Sequence, residues 1–381
     1  MMHLSLDPLS LDAMLVSFAC LSKYLILVKC ALGLLESEIG ERVVLPLVGF
    51  GTAGLQGRTH DAVLSALKLG VRMIDSAQAK EWYNELGVGT AVAEFEKSRT
   101  DGGDSPVVIV TKVHPRSYGD VSSMDAKLAE SKNNFFRDTL DVVLLHAPWC
   151  WPGHCTLEEE AAGWERGWNN LVSLRSQHNI RSIGVSNFHF ELLYRLVVDL
   201  GQQVDVVQNW MDPFHQDTEV RAFCVEHNIQ YMAYSSFGTQ WNRHPNPVLT
   251  NTVLKEIAMT HGVSVPQVVM MWLNTLQVVA IPRTGQVAHM RDNFAELIRT
   301  HEAHQAAHNH HQQCVMRADD MSSDNINTGT EANVDLVQGL AACGAETDQH
   351  VSEHVAMSWQ LSPDELDRIA ALDGTLGTPW D

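Results

Sequence analysis

From Arg42 onward the chain repeats one unit: a short run of apolar, β-branched residues, then a longer amphipathic stretch. The runs are LPLVGFG (45–51), RMID (72–75), VVIVTK (107–112) and DVVLLH (141–146), followed by SIGVSN (182–187), DVVQN (205–209), IQYMAYS (229–235) and VVAIPR (278–283). Apolar runs without polar alternation are what strands covered on both faces require. The stretches between them carry helix signals. THDAVLSALKLG puts Ala62, Val63, Ala66 and Leu67 on one stripe, with Gly70 placed for a left-handed stop. ELLYRLVVDLG closes on Gly201 in the same way, and VPQVVMMWLNTL opens with a proline suited to a first turn. SPDELDRIAALDG offers Ser362, Pro363 and Glu365 as a capping box and Gly374 beyond it.

Eight buried strands separated by helices predict an α/β fold, a (β/α)8 TIM barrel in a single domain. The barrel spans 41–295, and residues 357–381 supply its last helix and the C-terminus. The competing fold is an open doubly wound sheet. When that fold binds a dinucleotide it carries G-x-G-x-x-G at its first strand–helix turn. Here the first run ends GFGTAGLQG, without that spacing and with no helix directly after it.

Two regions fall outside the repeat. Residues 1–40 form an apolar N-terminal extension in which Lys23 and Lys29 interrupt the hydrophobic run. It is a poor bilayer span and, without a basic leading segment, a weak secretion signal. The reading is a helix lying on the domain or a dispensable extension, with organelle targeting as the alternative. Residues 296–356 hold HEAHQAAHNHHQQC and then a Ser/Asp/Asn/Thr/Gly stretch, with about ten acids against two arginines. They read as a disordered surface insertion, a place where a protein partner could dock. The formal charge of −20 excludes the basic footprint that nucleic acid or an anionic membrane needs. Seven scattered cysteines favour reduced thiols and a cytoplasmic location. Cys150, His154 and Cys155 lie close in sequence but lack the paired spacing of structural zinc, and the His-rich tract is of a kind that takes up metals only weakly, so no metal site is expected.

In a barrel of this type the chemistry sits where the strands end. The second run ends in Asp75, with Tyr83 in the loop beyond; the third ends in Lys112 and the fourth in His146. Each follows an apolar run, where an unpaired charge is costly, and convergence would relieve that cost. A phenol titrates near pH 10, and an ammonium beside it lowers that value. Lys112 can supply the ammonium, Asp75 can hold it, and His146 can orient a carbonyl oxygen. Together they make a general acid for an oxygen that gains negative charge.

These residues resemble the aldo-keto reductases. The likeness runs over about 42–295 and 357–374, through GFGT, IDSA…YNE, VTK, LLH, GVSNF, VVQN, AYSSFG and IPRTG…RDN in order. It implies a carbonyl reductase using NADPH, with NADH possible, and makes Asp75, Tyr83, Lys112 and His146 the catalytic group. It further implies that Ser186, Asn187 and Gln208 hold the nicotinamide carboxamide and that Tyr234 stacks on the ring. Gly51 and Thr52 meet the cofactor at the first strand, while Ser235, Phe237 and Thr239 face the pyrophosphate. Arg283, Thr284 and Asn293 sit at the adenosine end, and His289 stands where an arginine commonly contacts the 2′-phosphate. Trp82 occupies the place a naive alignment gives to the tyrosine, and His114 the place of a pocket tryptophan. Trp82, His114 and Trp149 are the substrate candidates, with Trp151 beside Trp149 in APWCWPGHC (147–155) as a further wall. Lys80 reads as solvent-exposed. The alternative function is a nicotinamide-binding regulatory or scaffold subunit with vestigial reductase activity.

Overall fold

The computed structural model describes residues 42–98, 106–295 and 359–377. The N-terminal extension and the 296–356 insertion lie outside the described residues. The eight apolar runs become β1 (Phe50–Gly51), β2 (Met73–Asp75), β3 (Val108–Val113), β4 (Leu140–Leu145), β5 (Ile180–Ser186), β6 (Val206–Trp210), β7 (Gln230–Tyr234) and β8 (Val279–Ala280). All neighbours pair in parallel in the order β1 to β8. The ring closes through a parallel bridge between Val48 and Ala280. Gly49 N to Ala280 O (2.8 Å) and Ala280 N to Leu47 O (2.9 Å) complete that seam. β1 and β8 are much shorter than their apolar runs. Pro46 and Pro282 stand in those runs, and a residue without an N–H cannot extend a ladder.

Alternate strand residues point to opposite faces. Val108, Val110, Val142, Leu144 and Met232 point into the barrel, whereas Ile109, Val143, Leu145 and Ala233 pack outward under the helices. The entering segment closes the lower end. Val43 N donates to Ser182 Oγ (3.0 Å) and Leu45 N to Gln230 Oε1 (2.8 Å), both at the N-terminal ends of strands. With that end filled by Val43 and Leu45, the open end lies where the strands finish.

The helix signals behave as the spacing predicts. Ser362 Oγ accepts from Glu365 N and the Glu365 carboxylate accepts from Ser362 N, starting the helix Pro363–Ala370. Gln216 Nε2 donates to Ile369 O (2.8 Å) and Gly374 N to Phe214 O (3.0 Å), tying this last helix to the barrel. The helix Val265–Thr275 starts at Ser264 with a second capping box to Gln267, and its proline falls in the first turn as the second helical residue. ELLYRLVVDLG is less regular: Phe190–Tyr194 is α and Arg195–Asp199 widens to π before Gly201 takes its positive φ of 61°. Among the described residues no helix is long and apolar enough to cross a membrane.

Candidate active site

Strand register brings the polar residues together. Asp75 pairs with Val110 and Lys112 with Leu144, and β4 passes directly into His146, whose N donates to Val113 O (3.0 Å). Asp75, Lys112 and His146 are all buried. The Lys112 ammonium donates to both Asp75 carboxylate oxygens at 2.7 Å and to Ser76 O at 2.8 Å. Its three protons are therefore all engaged, as a buried charge requires. Burial pulls the Lys112 pKa down, against the pull of Asp75 upward. Gln208 Nε2 adds a bond to Asp75 Oδ2 at 2.8 Å.

Tyr83 reaches this pair from the loop after β2. Trp82 N and Tyr83 N both donate to Ala79 O (3.0 and 2.9 Å), which turns the chain tightly before Asn84 caps the helix Glu85–Ser98 through Gly87 N. The Lys112 ammonium lies 5.3 Å from the centre of the Tyr83 ring. The His146 ring meets it edge-on at 5.9 Å. Lys80, three residues earlier, is exposed and pairs with Glu130.

The electrostatics correct one expectation. The phenol of Tyr83 is not pulled down by Lys112. Burial pushes its pKa up, Asp75 and Tyr234 add to this, and only Arg283 pulls it down. Desolvation is the largest cause, and the Asp75 carboxylate acts in the same direction. Tyr83 therefore keeps its proton at neutral pH. His146 is held well below the ordinary histidine value by burial first, then by Lys112 and His114. It is a neutral imidazole, and its buried Nδ1 has no hydrogen-bond partner among the described residues.

On the other flank Asn187 follows β5 in the left-handed region (φ 63°). Its Nδ2 donates to His146 O (2.8 Å) and its Oδ1 accepts from the Tyr234 hydroxyl (2.5 Å). Gly51 ends β1 where a Cβ would stand 2.8 Å from Ile281 O, so a side chain would strike backbone there.

Above these residues opens a cavity of about 740 Å3, within the ordinary range for a cofactor or small-ligand site. Of the catalytic candidates Asp75, Tyr83 and His146 line it, and Lys112 lies beneath them. Of the cofactor candidates Gly51, Ser186, Asn187, Gln208, Tyr234, Ser235, Phe237, Thr239 and Arg283 line it, as do Trp82 and Trp149. Thr52 is buried, with Oγ1 donating to Asp75 O (2.8 Å). Thr284, His289 and Asn293 lie off the cavity wall. Thr284 Oγ1 accepts from Gln286 N, and the other two sit on the helix Val287–Asn293. His114 is also set back: it is buried, its Nδ1 accepts from Arg116 N and Nε, and Trp151 stands between it and the cavity at 5.6 Å.

Trp210, His215 and Asp217 line the cavity too, and the motifs did not single them out. The indoles of Trp210 and Trp241 both donate to Asp212 Oδ2 (3.0 and 2.8 Å), and burial raises the Asp212 carboxyl to about 6. Trp210 stacks on His215 at 4.1 Å. The available signal was WMDPFHQD directly after the sixth run, a polar and aromatic cluster at a strand end.

A second correction concerns sulfur. Cys150 and Cys155 form a disulfide rather than two free thiols. Their loop is short enough for the two side chains to meet, which overrides the general argument from scattered cysteines. His114, Cys150 and Cys155 also bring possible ligand atoms within 4.8 Å of one another, with both sulfurs engaged in that bond.

The sequence model of the Aldo/keto reductase family matches residues 47–310. This chain belongs to that family. The reductase is 32% identical over 265 residues to methylglyoxal reductase YeaE of Escherichia coli (strain K12), covering 67% of this chain and 86% of that protein. It is 30% identical over 275 residues to glycerol 2-dehydrogenase (NADP(+)) of Hypocrea jecorina, 66% of this chain and 83% of that one. Among solved structures, a Bombyx mori aldo-keto reductase in complex with NADP shares the fold with a TM-score of 0.61 at 20% identity, over 86% of this chain and 89% of that chain. Family membership makes the protein an NAD(P)H-dependent oxidoreductase acting on the carbonyl/alcohol pair.

Proposed function

We propose that the protein reduces aldehydes or ketones to alcohols with NADPH, Tyr83 acting as general acid. One observation carries this reading: a tyrosine ring stands beside a buried lysine–aspartate pair and a buried histidine, at the floor of a cavity whose wall also includes Arg283.

The residues fit the cofactor. Asn187 and Gln208 present amide groups beside His146 and Asp75, Tyr234 offers an aromatic face, and Arg283 supplies a guanidinium suited to phosphate. When bound, NADPH supplies the hydride. A neutral imidazole has one N–H, and His146 directs it at the carbonyl oxygen and so sets the orientation of the carbonyl. As charge grows on that oxygen, Tyr83 gives up its proton to it. An alkoxide is a strong enough base to take a proton even from a phenol of raised pKa. The guanidinium of Arg283 favours the phenolate left behind, and Asp75 keeps the Lys112 ammonium in place beside the ring. The indoles of Trp82 and Trp149 keep water from the reacting groups. The relatives, a methylglyoxal reductase and an NADP(+)-dependent glycerol 2-dehydrogenase, support the carbonyl/alcohol pair and the phosphorylated cofactor.

The arrangement favours catalysis over a binding-only scaffold. Burying a lysine–aspartate pair costs desolvation, and a protein that merely holds a dinucleotide does not need it. The test is NADPH consumption with a generic aromatic aldehyde. Tyr83→Phe should lower turnover by about 10²–10⁴-fold and leave NADPH affinity by nucleotide fluorescence unchanged. Wild-type turnover in that variant would show that the proton comes from elsewhere.

A further inference from the structure

We propose that the Cys150–Cys155 disulfide is a thiol–disulfide exchange site that sets the shape of the substrate wall by holding Trp151. This inference rests on the reductase reading and adds a specificity-determining residue and its control.

The bond closes a six-residue ring, Cys-Trp-Pro-Gly-His-Cys, directly beyond the strand that delivers His146. Two side chains of the ring make contacts around the site. The Trp151 indole meets the His146 ring edge-on at 4.9 Å, the His114 ring at 5.6 Å and the Trp82 indole at 5.9 Å. His154 meets the same Trp82 at 5.7 Å, and its Nδ1 lies 3.9 Å from the Glu81 carboxylate. The ring therefore touches His146 on one side and, on the other, the two residues that precede Tyr83. Trp151, Trp82 and Trp149 also line the cavity, so the ring's position decides how wide the cavity is above the phenol.

Among the described residues, little besides the disulfide and these ring contacts holds the loop. Pro152 and Gly153 are exposed, Gly153 takes φ 79°, and His154 N to Trp151 O (3.0 Å) is a hydrogen bond inside the ring itself. Both cysteines are only partly buried, which leaves the sulfurs within reach of a thiolate. The exchange balances with a dithiol as co-reactant. One thiolate of the dithiol attacks a ring sulfur, the S–S bond breaks and a mixed disulfide forms. The second thiolate closes the dithiol into its own disulfide, and Cys150 and Cys155 leave as two thiols. Two electrons pass to the ring sulfurs and two protons are taken up there. Freed of the bond, the ring gains conformational freedom and Trp151 loses its fixed place on His146.

Reduction should therefore cost small flat aromatic aldehydes their packing while admitting bulkier ketones. The experiment uses the full chain, oxidised or treated with dithiothreitol, with alkylation and mass spectrometry to record the state of the pair. Three readouts are taken: kcat/KM for a small aromatic aldehyde and for a bulky aryl ketone, NADPH affinity, and hydrogen exchange of peptides covering 79–86 and 147–156. The expected result is a drop of about three- to tenfold in the aldehyde-to-ketone ratio on reduction, the scale of a lost aromatic pair. NADPH affinity should not change, and both peptides should exchange faster. Cys150→Ser/Cys155→Ser should behave as the reduced protein and ignore dithiothreitol, and Trp151→Ala should show the reduced ratio in either state. An unchanged ratio together with unchanged exchange on complete reduction overturns the proposal. Equal exchange of both peptides in the two states overturns it even in a protein with no turnover. Absence of NADPH consumption with every carbonyl tested, in both states, would instead overturn the reductase reading, and the exchange readout would still judge the ring.

Discussion

The floor and the rim of the cavity are built on opposite principles. The floor is made by strand ends: Asp75 and Lys112 are buried, each in a fixed register, and joined by two bonds of 2.7 Å. The rim is a loop wall: Trp149 is half exposed, Trp82 is 42% exposed, and Trp151 is held by aromatic contacts and by a covalent ring. Charges must be pinned because a misplaced buried charge costs several kcal/mol, whereas an indole can slide at little expense. On the proposed reading, the difference teaches that the chemistry lies where geometry is rigid and the selectivity where geometry can change.

Breaking the floor gives the largest effect. Lys112→Met should leave Asp75 buried and unpaired, costing about 3–5 kcal/mol by denaturant unfolding and most of the turnover. Adding Asp75→Asn should recover much of the stability without recovering activity. Recovery of both would mean that the pair shapes the floor rather than supporting the phenol.

His114 joins floor to rim, and pH reports on it. Burial first, then Arg116, lowers its pKa to about 4. The folded state keeps it neutral while the unfolded chain takes up a proton below about 6.5. Its contribution is therefore present in full above that value and is lost as pH falls toward 4, by about 2–3 kcal/mol. His146, shifted the same way, adds to this slope. Unfolding followed from pH 7 to 4 should show a shallower decline in His114→Gln, and an unchanged slope would mean that other groups carry it.

At the cofactor end, Arg283→Ala should weaken NADPH by about 1.5–3 kcal/mol, the range for a hydrogen bond to a charged group, and weaken NADH less. Equal weakening of the two would place the guanidinium on the shared pyrophosphate instead of the 2′-phosphate. The rim gives the smallest effect on folding. Trp149→Ala should change stability by no more than about 0.5 kcal/mol and raise KM for an aromatic aldehyde a few-fold. A large loss of stability would mean that the rim is as rigid as the floor.

Much of this was legible before any coordinates. Continuous apolar runs such as VVIVTK and DVVLLH, short and β-branched, read as strands covered on both faces, and eight of them in alternation with helices leave the barrel as the economical closure. A polar residue closing such a run lies at a strand end, which is why Asp75, Lys112 and His146 could be picked out singly. The run edges were less legible: Pro46 and Pro282 shortened the first and last strands, and Lys112 proved to be one residue short of the end of β3.

What the amino-acid order determined by itself is local: hydrophobic period, caps, turns and the residue that ends each strand. These depend on neighbours a few positions away, so they survive without knowledge of the fold. Contacts between loops do not. The Lys112–Asp75 pair was expected from the strand ends, but only the tertiary structure decided that burial leaves the Tyr83 phenol raised rather than lowered. It alone set His114 behind Trp151, brought Trp210 to the cavity, and joined Cys150 to Cys155. Each outcome depends on distances through space between separate loops, or on desolvation summed over a whole neighbourhood, and neither quantity is written along the chain.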